Sequence, residues 1–142
     1  MPDGFRVING THGGLWEDGN NLAEVSAFQV KVAKNKSTLN FCGQMAEDSK
    51  VTGIKITGSM TLHKIYTRGS NDVEQVQAGH DLRKTLVGAL NDPDAYGAER
   101  IAVYGVSYDE VTVMDWAAAK EGSITIPYTA TRVEYLDKIE VQ

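Results

Sequence analysis

One cysteine, Cys42, excludes an intramolecular disulfide, and three scattered histidines, His12, His63 and His80, leave no zinc site of standard spacing. No run of about 18 apolar residues exists, which excludes a helical membrane span. The opening residues Met1-Pro2-Asp3-Gly4-Phe5-Arg6 carry an early acid and no apolar stretch with a small-residue cleavage site. The expectation is a chain made and folded in the cytoplasm. At 142 residues, 42% hydrophobic and 23% charged, the composition fits one globular domain spanning 1–142 and not a disordered segment. With neither disulfide nor metal as a staple, apolar packing and association must stabilise it.

A strongly basic surface is also missing. The formal charge is −5, against a general nucleic-acid binder. The charge is unevenly spread: residues 1–27 carry −3, residues 28–70 carry +5 and residues 71–142 carry −7. Each block is either a solvated face or one half of a self-complementary pair, the basic middle of one copy meeting acidic surface on another.

Fourteen glycines against three prolines, set between short apolar runs, read as strands separated by turns. Asp18-Gly19 and Gly19-Asn20 supply the positive φ of a primed hairpin turn between Leu15-Trp16 and Leu22-Ala23-Glu24-Val25. Phe28, Val30 and Val32 alternate with polar residues, and Leu39 and Phe41 continue the pattern after a polar break at Lys34-Asn35-Lys36-Ser37. Ile54, Ile56, Met60 and Leu62 repeat it, with Gly58 as a bulge or bend. A long antiparallel pair results, capped by a polar loop around Ala46-Glu47-Asp48-Ser49-Lys50. Leu82, Leu86 and Leu90 recur every four residues, which predicts the one helix over His80 to Leu90, stopped by Asn91-Asp92-Pro93-Asp94. Arg68 to Asp72 reads as loop, with a turn or two of helix over Asp72 to Val76 capped by Asn71. Ile101 to Tyr108 with Gly105 breaking phase, Val111 to Met114, and Ser123 to Thr129 with Pro127 at an edge or bulge are further strands. Residues 1–13 are expected as a flexible arm and 133–142 as a last strand or arm. The expected fold is mainly β, α+β by content: an antiparallel β-sandwich or barrel with a long hairpin and one flanking helix.

Catalytic signatures are absent. No serine or cysteine sits in a nucleophile motif, and the histidines read as surface or hydrogen-bonded core residues. Gly10-Thr11-His12-Gly13-Gly14 lacks the Lys-Ser/Thr ending of a phosphate loop and reads as a flexible entry to the first strand. Asp109-Glu110 and Asp92/Asp94 lack the ligand ladder of a calcium loop and read as turn residues. Trp16 and Trp116 are expected as core or interface residues in preference to a sugar platform, and Cys42 as a small buried hydrophobe. No cofactor, no metal and no enzymatic activity are expected.

Gly14-Leu15-Trp16-Glu17-Asp18-Gly19, Ala23-Glu24-Val25-Ser26-Ala27-Phe28, Val32-Ala33-Lys34-Asn35-Lys36-Ser37, Lys50-Val51-Thr52-Gly53 and Gly58-Ser59-Met60-Thr61-Leu62-His63-Lys64 occur in order over residues 10–66. Together they resemble the tail tube protein of contractile, myovirus-like phage tails, of the kind found in defective prophages and phage-tail-like bacteriocins of Gram-positive bacteria. Glu99-Arg100-Ile101-Ala102-Val103-Tyr104 is similar in plan, whereas residues 69–79 depart from the pattern.

The resemblance implies a subunit that self-assembles into six-membered rings, stacked as a hollow tube inside a contractile sheath. It implies as partners further copies of itself, the sheath protein, and baseplate or tube-initiator and tape-measure proteins. DNA enters only as non-specific cargo, repelled by an acidic bore, and the monomer binds no membrane. Assembly would take place in the bacterial host cytoplasm, with release by lysis. Because the family bridges neighbours through the long hairpin and its loop, the resemblance points to Lys34, Asn35, Lys36, Ser37, Ala46, Glu47, Asp48, Ser49 and Lys50 as subunit and inter-ring contacts. Of these, Lys34, Lys36 and Lys50 would meet acids of an adjoining copy. Glycine- and threonine-rich strands such as Thr52 to Thr61 can lie flat around a bore. Two other readings share the residues: a ring of the haemolysin-coregulated type from type VI secretion, and a β-sandwich carbohydrate-binding module.

Overall fold

The computed structural model describes residues 3–141. Strand β1 (Gly13–Glu17) turns back into β2 (Asn20–Asn21) through Asp18 and Gly19, both at positive φ (48° and 85°), as a primed turn requires. Two long strands follow, β3 (Val25–Leu39) and β4 (Asp48–His63), then helix α1 (Ser70–Gln77). Strands β5 (Lys84–Leu90), β6 (Glu99–Tyr108), β7 (Ser123–Ala130) and β8 (Arg132–Asp137) complete the chain. All pairings are antiparallel, in the order β2-β1-β5-β6-β7-β4-β3, with β8 added on β6. The fold is the mainly β, antiparallel architecture expected, with one helix.

Strand β6 belongs to both layers. Residues 100–104 pair with β8, and Ser107 and Tyr108 pair with β7. The change of partner falls at Gly105 (φ 65°), the phase break expected there, where Thr131 packs against the bare Cα and bonds the Tyr104 carbonyl through both its N–H and its hydroxyl. Pro127 sits where β6 leaves β7: its carbonyl accepts from the Asp109 N–H, so its missing donor faces the side on which the ladder stops.

The inward faces of β4 and β7 interleave as Ile56, Met60 and Leu62 opposite Ala130, Ile126 and Ile124, meeting Leu15, Leu86, Val103 and Val106 from the other layer. Gly58 is not a bulge. It lies in register between Val30 and Tyr128, and the bare Cα lets the Tyr128 hydroxyl cross β4 to donate to the Gln29 carbonyl of β3 at 2.7 Å. Burial pushes the Tyr128 phenol well above its usual range, so it stays a donor. Phe28 stacks on Tyr128 and fills the space left by Gly88 of β5.

The helix expected over His80 to Leu90 is instead strand β5. Leu82, Leu86 and Leu90 are spaced by four, and four is also twice the strand period, so Leu86 and Leu90 share a face of β5 while Leu82 precedes it. β-branched Thr85 and Val87, and Gly88 under Phe28, settle the choice. Helix α1 covers the turn or two of helix expected over Asp72 to Val76 and begins two residues earlier, within the stretch expected as loop. It starts at Gly69 (φ 82°) with no side-chain cap, and Asn71 lies inside it. It is held chiefly by charge: Asp72 is 3.8 Å from the buried Lys84 Nζ, which also lies 3.3 Å from Glu17 and 3.8 Å above the Tyr108 ring.

Two other expectations are corrected. Lys34 to Ser37 is no break, since β3 runs unbroken to Leu39 with β4 supplying its ladder. Val111 to Met114 forms no strand, because no neighbouring edge pairs with it; Val111 instead packs on Gly69. Gly10–His12 is a 3₁₀ turn and Gly13-Gly14 open β1.

Two carboxylates clasp the ends of the layers. Glu24, buried, accepts from Arg68 at 2.6 and 3.3 Å. The paired guanidinium holds its pKa below the ordinary 4.5 against the opposing effect of burial. Asp92 accepts from the N–H groups of Asn9 (2.8 Å) and Asp94 (3.0 Å), and these bonds hold it below the ordinary 3.8. Asp92 and Asp94 are thus turn residues, as expected.

Adding a methyl at Gly58 blocks the Tyr128 crossing, so Gly58→Ala is expected to lower stability by about 1–3 kcal/mol in urea unfolding, with Tyr128→Phe costing about 1 kcal/mol. Both clasp carboxylates have depressed folded-state pKa values. Their contribution is therefore complete above 4.5 and 3.8 respectively and is lost as pH falls through the lowered values. Thermal unfolding between pH 7 and 2 should show a decline confined to the acid limb, and Asp92→Asn should flatten part of it.

Candidate assembly surface

The β3–β4 hairpin outruns the layers that support it. Strand β4 pairs with β7 only from Ile56 to His63, so residues 48–55 have β3 as their sole partner. At about 3.4 Å per residue this two-stranded arm stands roughly 25 Å clear of the core. A paired ladder satisfies its own backbone, so the arm needs no core beneath it, and polar residues such as Lys34 to Ser37 do not end it.

Near the tip the register slips once. Asn35 faces Gly53 and Lys36 faces Val51, which leaves Thr52 unpaired, its hydroxyl bonded to the Asn35 carbonyl at 3.1 Å. Directly opposed residues share a face. One face of the arm therefore carries Val32, Lys34 and Lys36 with Ile56, Ile54 and Val51, and continues the face that forms the core nearer the body. The other carries Lys31, Ala33, Asn35 and Ser37 with Thr57, Lys55, Gly53 and Lys50. Val32 is 52% exposed and Ile54 57%, core-type residues with no core to meet.

The nine positions singled out from the sequence all lie at this end and all are exposed. Ser37 pairs with Lys50, and Lys36 sits one step away opposite Val51. Asp48 and Ser49 belong to β4 and pair with Leu39 and Thr38, while Ala46 and Glu47 fall in the tip at residues 40–47. Lys34 and Lys36 share a face, and Lys50 lies on the opposite one. Among the described residues none of Lys31, Lys34, Lys36, Lys50 and Lys55 has an ion-pair partner. Cys42, expected to be buried, is exposed at this tip with Phe41 and Met45, because the loop has no layer to fold against.

The outward face of β3, β4 and β7 is of another kind. Gln29, Lys31, Thr57, Ser59, Thr61, Thr125 and Thr129 alternate with the core residues, and the Thr61 and Thr125 hydroxyls meet at 3.2 Å. The result is a flat surface of short hydroxyl side chains.

At the opposite end of β4 the connection 109–122 carries Val113, Met114 and Trp116 into solvent; Trp116 is 79% exposed and so is not a core residue. Val32, Val51, Ile54, Val113 and Met114 were missed as surface residues by sequence reasoning, and Trp116 was expected in the core or at an interface. The available signal was the mismatch between the long β3–β4 alternation and the shorter apolar runs that could cover it.

An open cleft of about 730 Å³ between β1, β5 and β3 is lined mainly by glycines and apolar residues, among them Leu15, Phe28, Leu90 and Ile101. Among the described residues no group of three His, Cys, Asp or Glu side chains could hold a metal ion, and no helix is long and apolar enough to cross a membrane. His12 approaches Asp92 at 3.9 Å.

Comparison with known proteins gives a consistent result. The sequence model described as phage tail tube protein matches residues 2–137. The phage-like element PBSX protein XkdM of Bacillus subtilis is 30% identical over 139 residues, covering 94% of this chain and 92% of that protein. Among solved structures, a chain of the six-fold symmetrised anti-feeding prophage baseplate superposes with a TM-score of 0.63 at 7% identity, covering 87% of this chain and 90% of that one. A chain of the native gene transfer agent virion gives 0.58 at 10% identity, covering 91% and 98%. The last two likenesses are of fold.

Proposed function

The chain belongs to the phage tail tube protein family, and on that premise we propose that it is a structural subunit, without catalytic activity, that assembles into six-membered rings stacked as the inner tube of a contractile tail or phage-tail-like particle. The observation that carries this reading is the β3–β4 arm. It offers a 15-residue edge strand, β3, bonded on one side only, together with exposed core-type residues and unpaired lysines. Such an edge on a solitary protein invites uncontrolled pairing, and no proline interrupts it. A ring gives each edge a neighbour. The six-fold symmetry of the baseplate holding a structurally similar chain supports six as the number.

The hydroxyl face of β3, β4 and β7 is the surface suited to the bore. Short side chains keep it flat; it bears Lys31 and Lys55 at one end and, at its margin, the Asp109 carboxylate that accepts from the Thr129 hydroxyl. Low adhesion to passing cargo, DNA in a phage, then rests on small, self-satisfied hydroxyls such as the Thr61–Thr125 pair. The outer surface would meet the sheath protein, and the tube ends the initiator and tape-measure proteins, with assembly in the host cytoplasm.

Stacking needs only weak contacts. If each subunit contributes ~2 kcal/mol to the ring below, six joined in a rigid ring give about 12 kcal/mol before ordering costs, near nanomolar association.

Purified protein should form rings or tubes in negative-stain micrographs; a strictly monomeric species at high concentration and low salt would refute the reading. Reversing Lys34, Lys36 and Lys50 together to glutamate should cut tube growth severely while circular dichroism stays that of the folded subunit. Unimpaired growth would remove the electrostatic component.

A further inference from the structure

We propose that residues 109–122 of one copy form the seat for the β3–β4 arm of the next copy along the stack. Val113, Met114 and Trp116 receive Val32, Val51 and Ile54, and Glu110, Asp115 and Glu121 lie opposite Lys34 and Lys36. The inference rests on the ring-and-stack reading above and names the partner surface for the arm.

Position is the first support. The arm ends at Asp48, the start of β4, and Ser123, which closes the 109–122 connection, pairs with His63 at the other end of that strand. The arm's apolar residues, Val51, Ile54 and Val32 opposite Ile56, therefore lie roughly 25–40 Å along the strand from its His63 end. Stacking of identical rings in one direction is a heterologous contact and requires unlike, matching surfaces at opposite ends of the subunit.

Chemistry is the second. The arm presents aliphatic residues flanked by cations, without an acid opposite them in their own chain. Residues 109–122 hold four acids and one lysine, and among the described residues Glu110, Asp115 and Glu121 have no ion-pair or hydrogen-bond partner. Val113, Met114 and Trp116, 70%, 76% and 79% exposed, supply the apolar part. A tryptophan ringed by charge is the residue type that most often dominates an interface. Apolar strip meets apolar strip, and cation meets anion.

Presentation is the third. The connection is fixed at both ends: Asp109 N–H bonds the Pro127 carbonyl, Val111 fills the space over Gly69, and the Lys64 N–H bonds the Gly122 carbonyl at 2.9 Å. Between these anchors Val111 to Val113 border α1 beside Ser70, Val73 and Glu74, and Met114 and Trp116 stand in solvent.

The experiment compares ring and tube populations by negative stain and sedimentation for full-length variants shown to be folded by thermal melting. Trp116→Ala is expected to form rings as the parent does but to need at least about tenfold more protein for tube growth. Lys34→Glu with Lys36→Glu, and separately Asp115→Lys with Glu121→Lys, should each stall at rings, and the four changes combined in one chain should restore tubes. Parent-like tubes from Trp116→Ala, or a combined variant no better than its halves, would overturn the seat while leaving the ring reading intact. Absence of rings from the parent protein would instead remove the ring reading, and the seat with it.

Discussion

Support for the long hairpin is one-sided and stops halfway. β3 touches the rest of the molecule through β4 alone in its ladder, and β4 has a second neighbour only beyond Ile56. What fixes the supported half is a contact that glycine makes feasible: the Tyr128 hydroxyl passes Gly58 to the Gln29 carbonyl, tying three strands at one point. Phe28 completes the joint by stacking on Tyr128 and entering the gap over Gly88, so the two layers are pinned at the same place. Beyond Ile56 the arm continues on its own ladder, joined by the Thr52 hydroxyl bond to the Asn35 carbonyl.

The two ends of the subunit consequently differ in kind. The tip is an unsupported ribbon rich in lysine. The other end is consolidated by buried charge, with Glu24 forked by Arg68 and Lys84 set among Glu17, Asp72 and the Tyr108 ring. Those pairs fix α1 and the connections around it, and burial drives the Tyr108 phenol far above its ordinary range, so it stays neutral beside the Lys84 cation. A rigid end and a projecting end, joined by one continuous strand, are the geometry that a directional stack demands.

Much of this was legible in the residues. Alternation at Phe28-Val30-Val32 and Met60-Leu62 and the Asp18-Gly19 turn are local signals, and each corresponds to what the backbone does. The errors occur where one signal serves two structures. A four-residue leucine spacing is common to helix and strand, and the choice falls to β-branched Thr85 and Val87 and to the packing of Phe28 on Gly88, which is unreadable in one dimension. Helix α1 was read only as a turn or two over Asp72 to Val76, since its start at a bare glycine and its hold on the core through an Asp72–Lys84 contact twelve positions apart carry no local signal. The nine positions expected at subunit contacts lie together through strand pairing, yet sequence could not divide them between faces, since that depends on the slip at Thr52. Trp116 gave no sign that it stands in solvent.

The arm's ladder also has a mechanical meaning. Pairs run from Val25 with Leu62 to Leu39 with Asp48, every backbone bond lying across the strand direction. A pull that slides β3 against β4 loads these bonds in parallel, so many must rupture together, whereas a pull that separates the strands sideways breaks them one at a time. A polymer joined through such ribbons would be stiff against stretching along them and compliant to transverse peeling, an anisotropy set by hydrogen-bond orientation alone.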